Sequence, residues 1–314
     1  MGPEDILSQL SFMSAESLQS ALERNPSAAN MCDQNGESVL WHALFDLNDM
    51  QKADLILRYG ADIEVGKEGA TNLHWACTHW HLDHVRYLLR NAADPNAQNQ
   101  DGMRPLHLIV CGGPYLDPAE TLAIARALLE NKASIDAPNS SGLTPLHLAA
   151  RHAYTLEMVQ LLLDYGANPN CIAKENELHP ALTPLHMAVL GVEEWAVDVV
   201  SEVQERIVDL LLSRGAKTDS HDGLVMPPIV YAVGMGLLGI TKQLWSAMRK
   251  QNLEFASVLL IIAASRGREN VSRFLLEQGA DPRWVNSKGS TAIQVAIDNG
   301  HADLARVLES SPYT

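Results

Sequence analysis

Basic side chains are scarce in this sequence: 23 Lys and Arg stand against 38 Asp and Glu, giving a formal net charge of −15. That deficit argues against nucleic acid and anionic membrane as partners, because phosphate-backbone binding draws its affinity from Lys and Arg displacing counterions. Cysteine is scarcer still. Cys32, Cys77, Cys111 and Cys171 are far apart and include no CxxC pair, so neither a disulfide framework nor a cysteine zinc module is expected. The expected home is a reducing one, intracellular, cytoplasmic or nuclear. Long apolar runs are missing too, since none approaches the roughly 20 residues of a membrane-spanning helix. The opening "MGPEDILSQLSFMSAESL" is acidic where a secretion signal needs basic residues, so no cleavable signal is expected. Nor is there a nucleophile elbow, a phosphate-cradling glycine loop, an HExxH or a kinase set.

What is present is a core and a repeat. Of the 314 residues, 46% are hydrophobic, enough to bury a sizeable interior. "TPLHLA" at 144–149 recurs as "TPLHMA" at 183–188, with "TNLHWA" at 71–76 and "RPLHLI" at 104–109 as variants. Apolar helical runs and turns follow, as in "VRYLLRNAADPNA", "MVQLLLDYGANPN" and "VSRFLLEQGADPR". In "GLTPLHLAA", Thr144 can cap a helix N-terminus, and Pro145 takes the first helical position, where its missing N–H costs nothing. Leu146 and Ala149 then face inward, and Gly166 in "DYGANPN" stands where a helix end needs left-handed backbone. Each unit reads as helix, turn, helix and hairpin-like loop, and buries its apolar face by stacking on its neighbours.

This pattern resembles the ankyrin repeat over nearly the whole chain. Matching positions fall at Ser38, Thr71, Arg104, Thr144, Thr183, Pro227, Val258 and Thr291, spaced 33, 33, 40, 39, 44, 31 and 33 residues apart. Four of the seven spacings lie within two residues of the family's period of about 33. The resemblance implies an all-α ankyrin-repeat solenoid of helix-turn-helix units with hairpin-like loops. Residues 1–32 form a helical N-terminal cap, and residues 33–314 carry eight ankyrin-like repeats, the last three degenerate. Repeat six has Val230 where the motif has His, repeat seven loses the first half of the motif, and repeat eight has Gln294 for His. In repeat seven "SVLLIIAA" has a second reading, a helix buried against an extra element at 237–255. Eight layers of about 10 Å would span on the order of 80 Å.

Residues 71–89, "TNLHWACTHWHLDHVRYLL", gather His74, Cys77, His81 and His84, four competent zinc ligands. Register assigns them otherwise. His74 matches His107, His147 and His186, a histidine that in the family hydrogen-bonds backbone at the loop and helix start. Cys77 takes a packing position, and His81 opens the second helix as His301 does. The turn between divides the four over two antiparallel helices, so no metal is expected. His84 replaces an apolar residue, and packing and surface placements both stay open. His79 and Trp80 fill the turn where the family has a variable residue and then glycine; the fold does not require them, and Trp at positive φ is locally costly.

The resemblance further implies a concave binding surface built from hairpin tips and the exposed ends of first helices. Repeat one supplies Gln34, Asn35, Glu37, Phe45 and Asp46, and repeat two supplies Lys67, Glu68, Thr78, His79 and Trp80. Gln100, Asp101 and Met103 follow from repeat three, with Ser140, Ser141, Leu143, Arg151 and His152 from repeat four. Extra residues, "CGGPYLDPAE" at 111–120 and "VLGVEEWAVDVVSEVQER" at 189–206, fall between the helices of repeats three and five. Insertions in repeat proteins collect on one face, so Tyr115, Asp117, Arg151, His152, Tyr154, Glu193 and Trp195 are predicted to wall a pocket above repeat four. The expected function is a non-catalytic protein–protein interaction scaffold with no cofactor, whose acidic surface favours a partner with a basic patch. The alternative is a small-molecule-binding or catalytic pocket around repeat four, with Asp117 and His152 as the general acid/base pair. Because "RVLESSPYT" ends the chain just after the last helix, an adaptor would dock both partners on the repeats. Asn96 and Asn170 read as turn residues, and resemble loop asparagines that some family members carry hydroxylated.

Overall fold

Four helices begin in one way. Thr71, Arg104, Thr144 and Thr183 are extended caps, and the histidine three positions on turns its Nδ1 back to the cap's backbone N–H, at 3.1, 3.2, 3.1 and 3.1 Å. A donor next to the helix start is thereby satisfied. With Nδ1 accepting, Nε2 carries the proton and donates to the next loop. His74 reaches the Met103 carbonyl at 3.0 Å, His147 that of Leu182 at 3.1 Å and His186 that of Met226 at 3.1 Å.

The structure, a computed structural model, describes residues 4–67, 69–111, 117–152, 156–174, 181–191, 197–219, 226–248 and 251–310. Among them regular structure is helical, with two isolated antiparallel bridges, Cys32 to Ser38 and Lys67 to Ala70. The chain divides into two units, Met1–Ser140 and Ser141–Thr314.

In the first unit α1 (Glu4–Gln9) and α2 (Ala15–Arg24) precede a 3-10 turn at Pro26–Asn30. Helix α3 (Val39–Trp41), capped by the Ser38 hydroxyl accepting from the Trp41 N–H at 3.0 Å, winds on as a π-turn at His42–Asp46. Helix α4 (Met50–Arg58) packs on α2. The pairs α5 (Asn72–Thr78) with α6 (Leu82–Arg90), and α7 (Pro105–Val110) with α8 (Pro118–Glu130), stack first helix on first and second on second. Leu40, Leu44, Leu73, Leu88, Leu106 and Leu128 are fully buried between them, each contributing about 1.5–3 kcal/mol relative to exposure.

The second unit continues with α9 (Pro145–Arg151), α10 (Leu156–Asp164), α11 (Pro184–Leu190), α12 (Val197–Ser213), α13 (Pro228–Met235) and α14 (Leu238–Ala247). It ends with α15 (Leu253–Ser265), α16 (Glu269–Glu277), α17 (Ala292–Asp298) and α18 (Ala302–Glu309). The odd-numbered helices form one layer, α9 to α11 to α13 to α15 to α17, and α10, α12, α14 and α16 the other.

Three expectations from the sequence are corrected by the fold. The 237–255 segment is no extra element: α14 lies within it and packs on α13 and α12 as the second helix of its pair. Val258 does not open repeat seven, because Asn252 caps α15, accepting from the Glu254 N–H at 2.9 Å, and places Val258 inside the helix. Its run is apolar because α13, α16 and α17 all pack on α15. The extra residues at 118–120 and 197–206 are helix, not loop. Asp117 with Pro118 starts α8 early, and α8 and α12 reach 13 and 17 residues against 9 in α6 and α10.

Loop asparagines bind adjacent repeats within each unit. Asn96 donates to the Lys132 carbonyl at 3.1 Å and accepts from the Ser134 N–H at 2.7 Å; Asn170 does the same with Gly215 and Lys217 at 3.0 and 2.9 Å. Each side-chain amide thus makes a two-way bridge to the backbone of the next loop.

Candidate functional site

The first unit gathers rings and charges where the π-turn and α5 end. Trp75 stacks on His79 with centroids 4.2 Å apart and meets Trp41 edge-on at 5.4 Å, while Phe45 stacks on His84 at 5.3 Å. Lys67, held by the Lys67–Ala70 bridge, places Nζ 5.4 and 5.2 Å from the Trp41 and Trp75 centroids, inside cation–π range, and pairs with buried Glu37. His42 Nδ1 lies 2.5 Å from Asp46, and its Nε2 is 3.5 Å from Asp33 and 3.8 Å from Glu37. Burial pushes the Asp33 carboxyl up, but the N–H groups of Glu37 and Asn35 and the His42 ring outweigh it and hold it below its ordinary range.

The tetrad of residues 71–89 does not come together. Both His74 nitrogens are spent on backbone, and burial lowers its pKa. Cys77 is fully buried, which pushes its thiol up and makes thiolate ligation costly. His84 is a packing residue: it is buried, and Nε2 bonds the Leu44 carbonyl at 2.8 Å, tying α6 to the preceding repeat. His79 turns Nδ1 to the Trp75 carbonyl at 3.0 Å. Trp80 sits at φ 55°, the left-handed region, with its indole nitrogen buried and without a hydrogen-bond partner.

In the second unit a cavity of about 220 Å³ is lined by Ser141, Leu143, Arg151, Ala173, Leu182, Met187 and Leu190. Three of the residues assigned from sequence, Ser141, Leu143 and Arg151, thus share one wall. Of the rest, Glu37, Asp46, Lys67 and His79 belong to the first-unit cluster. Asp101 is exposed in its loop and accepts from the Ser140 N–H at 3.3 Å, and the Met103 sulfur accepts from the Asn139 amide at 3.3 Å. Thr78 donates to the His74 carbonyl at 3.0 Å. Asp117 is committed as a cap, accepting from the Ala119 N–H at 2.9 Å, and His152 closes α9; the two belong to different units. Glu68, Tyr115, Tyr154, Glu193 and Trp195 lie outside the described residues.

Sequence reasoning passed over Asp33, Trp41, His42 and Trp75. A signal was available. In "SVLWHALFD" Trp41 occupies the slot of the capping histidine, and His42 and Trp75 share the next position, which the fold leaves half-exposed. Trp41 cannot perform the histidine's dual bonding, and its buried indole nitrogen has no hydrogen-bond partner.

Helix pairs with histidine-closed caps, tied loop to loop by asparagines, define a helical repeat protein. The chain belongs to the ankyrin-repeat family: the family model "Ankyrin repeats (3 copies)" matches residues 10–99, 89–173, 121–222 and 229–312. It is 26% identical over 177 residues to the Caenorhabditis elegans transient receptor potential cation channel subfamily A member 1 homolog, covering 48% of this chain and 14% of that protein. Human protein phosphatase 1 regulatory subunit 27 is 40% identical over 76 residues, 24% of this chain and 49% of the relative. The chain spans less than half the length of these curated relatives. The crystal structure of the ankyrin repeat domain of Bcl-3, a member of the IkappaB protein family, superposes with a TM-score of 0.57 at 27% identity, covering 76% of this chain and all of that one.

Proposed function

We propose that this chain is a non-catalytic protein-binding scaffold that uses the concave ankyrin face. Ankyrin repeats generally mediate protein–protein interaction, and one observation supports the placement: Trp75, His79, Phe45 and Lys67 form a partly exposed ring-and-cation cluster that the fold does not require. Half-buried aromatics flanked by charge are the anchors from which interfaces draw most of their energy. Exposed Asp46 and the net charge of −15 favour a partner with a basic patch, acting in the cytoplasm or nucleus. The relative named as a phosphatase regulatory subunit is consistent with that class. No helix among the described residues is long and apolar enough to cross a membrane. The test is recovery of a partner by the purified full chain, then titration of that partner into Trp75→Ala/His79→Ala. The expected loss is about 2 kcal/mol or more, roughly thirtyfold in Kd; equal affinity for both proteins would remove this surface from the interface.

The cavity beside Arg151 favours a second reading, a small-molecule site in repeats four and five. At about 220 Å³ it falls below the roughly 300 Å³ at which ligand pockets begin, and it suits one apolar group whose anionic end meets Arg151. Were a metabolite to raise Tm, with the shift lost in Arg151→Ala, this reading would replace the scaffold.

A further inference from the structure

The geometry points to a divalent transition-metal site, of the kind that takes Zn²⁺, formed by Asp33, Glu37 and His42. It is separate from the 71–89 histidines and goes beyond the scaffold reading. Asp33, Glu37 and His42 each offer one ligand atom, all within 4.8 Å of one another, and among the described residues they are the group that brings three metal-competent donors together. They form a mixed imidazole–carboxylate set, the N/O chemistry suited to zinc and its neighbours rather than to Mg²⁺ or Ca²⁺.

The spacing discriminates between a metal and a proton. Donors bound at about 2.0–2.2 Å around a tetrahedral centre lie about 3.3–3.6 Å apart. His42 Nε2 stands 3.5 Å from Asp33 and 3.8 Å from Glu37, so small side-chain shifts close the shell. A proton on Nε2 would instead need an acceptor at about 2.7–3.2 Å, which neither carboxylate provides. Three acceptor atoms converge on a point that hydrogen bonding fills poorly, and a cation fills it well.

Each donor is also oriented from behind. His42 Nδ1 is 2.5 Å from Asp46, the carboxylate–histidine arrangement that turns Nε2 toward a metal. Asp33 Oδ1 accepts from the N–H groups of Asn35 and Glu37 at 2.8 and 2.9 Å, while Oδ2 faces His42 and accepts from the Asn35 side-chain amide at a long 3.5 Å. Glu37 is only 7% exposed; Oε1 meets Lys67, and Oε2 faces His42. With three protein ligands a tetrahedral metal keeps one position for water or for a donor from outside the chain.

The experiment is calorimetric titration of ZnCl2 into the full chain after chelator treatment and dialysis, with MgCl2 as the hard-cation comparison. The expected result is one Zn²⁺ per chain that excess Mg²⁺ does not displace. His42→Ala and Glu37→Gln are expected to abolish it, and Asp46→Asn to weaken it about 10- to 100-fold. Cys32→Ser, which removes the exposed thiol next to Asp33, is expected to change nothing. Should the Glu37 variant fail to fold, a long-range ¹H–¹⁵N spectrum of the unmodified chain replaces it: Zn²⁺ is expected to shift the Nε2 resonance of His42. No saturable binding, binding that survives His42→Ala, binding lost in Cys32→Ser, or a static His42 Nε2 each overturns the site.

Discussion

Acid should cost this fold stability through His147. The side chain is fully buried; Nδ1 accepts from the Thr144 N–H at 3.1 Å and Nε2 donates to the Leu182 carbonyl at 3.1 Å. Burial drives its pKa down from the ordinary value of 6.5 to about 4, although the carbonyls of Leu182 and Cys171 pull the other way. Protonation would also convert the accepting Nδ1 into a donor facing a donor. A group whose folded pKa is depressed supplies stability that is present above its unfolded pKa and lost as pH falls toward its folded value. The loss therefore develops between about 6.5 and about 4. Between about pH 7 and about pH 4.5 the linkage integral amounts to about 2 kcal/mol for this one residue. Many carboxylates titrate over the same range, so a variant must supply the reference. His147→Gln removes the titration while keeping a side-chain acceptor near Thr144. Urea unfolding followed by circular dichroism at the two pH values gives the stabilities. The unmodified protein should be the more stable at neutral pH and should lose about 2 kcal/mol more than the variant on acidification. Equal acid losses in the two proteins would refute the buried neutral imidazole.

Four further outcomes are expected. Gly300 holds φ 81° with open space where a methyl group would go, so Gly300→Ala should cost only the backbone term, about 1–2 kcal/mol, read as a fall in Tm. Gly142 holds φ 77°, and a Cβ there would collide with the Lys174 backbone nitrogen; Gly142→Ala should therefore cost distinctly more, and equal losses would contradict the close approach of these loops. Asn96→Ala deletes two loop-to-loop hydrogen bonds and should lower stability by about 1–2 kcal/mol, with faster amide exchange at Ser134, whereas unchanged exchange would mean that the bond to its N–H is not protective. Leu146→Ala, at a fully buried position in α9, should cost about 2–5 kcal/mol by chemical denaturation.

Much of the fold was legible because it is local. A Thr or Arg cap, an occasional Pro at the first helical position and a His three residues after the cap lie within one turn, so the hexapeptides reported both the helix starts and the inward faces. The reading failed where the start signal changed type. Asn252 opens α15 without the motif, and its apolar run is a response to three neighbouring helices that no local pattern encodes. Likewise, Asp117 looked like a base because a carboxylate's chemistry is visible in sequence and its partner is not. Folded, it is a helix cap.

By itself, then, the sequence determined the ankyrin-repeat class, the all-helical elements, the acidic balance and the assignment of His74, His107, His147 and His186 to the frame. Those properties rest on composition and on contacts within a few residues. Tertiary structure alone decided which side chains meet across repeats: Lys67 over Trp41 and Trp75, His84 on the Leu44 carbonyl, and Asp33, Glu37 and His42 around one point. A repeat length sets which positions are comparable. The distance between two side chains depends on how loops and helices stack, and that is settled only when the apolar faces close on one another.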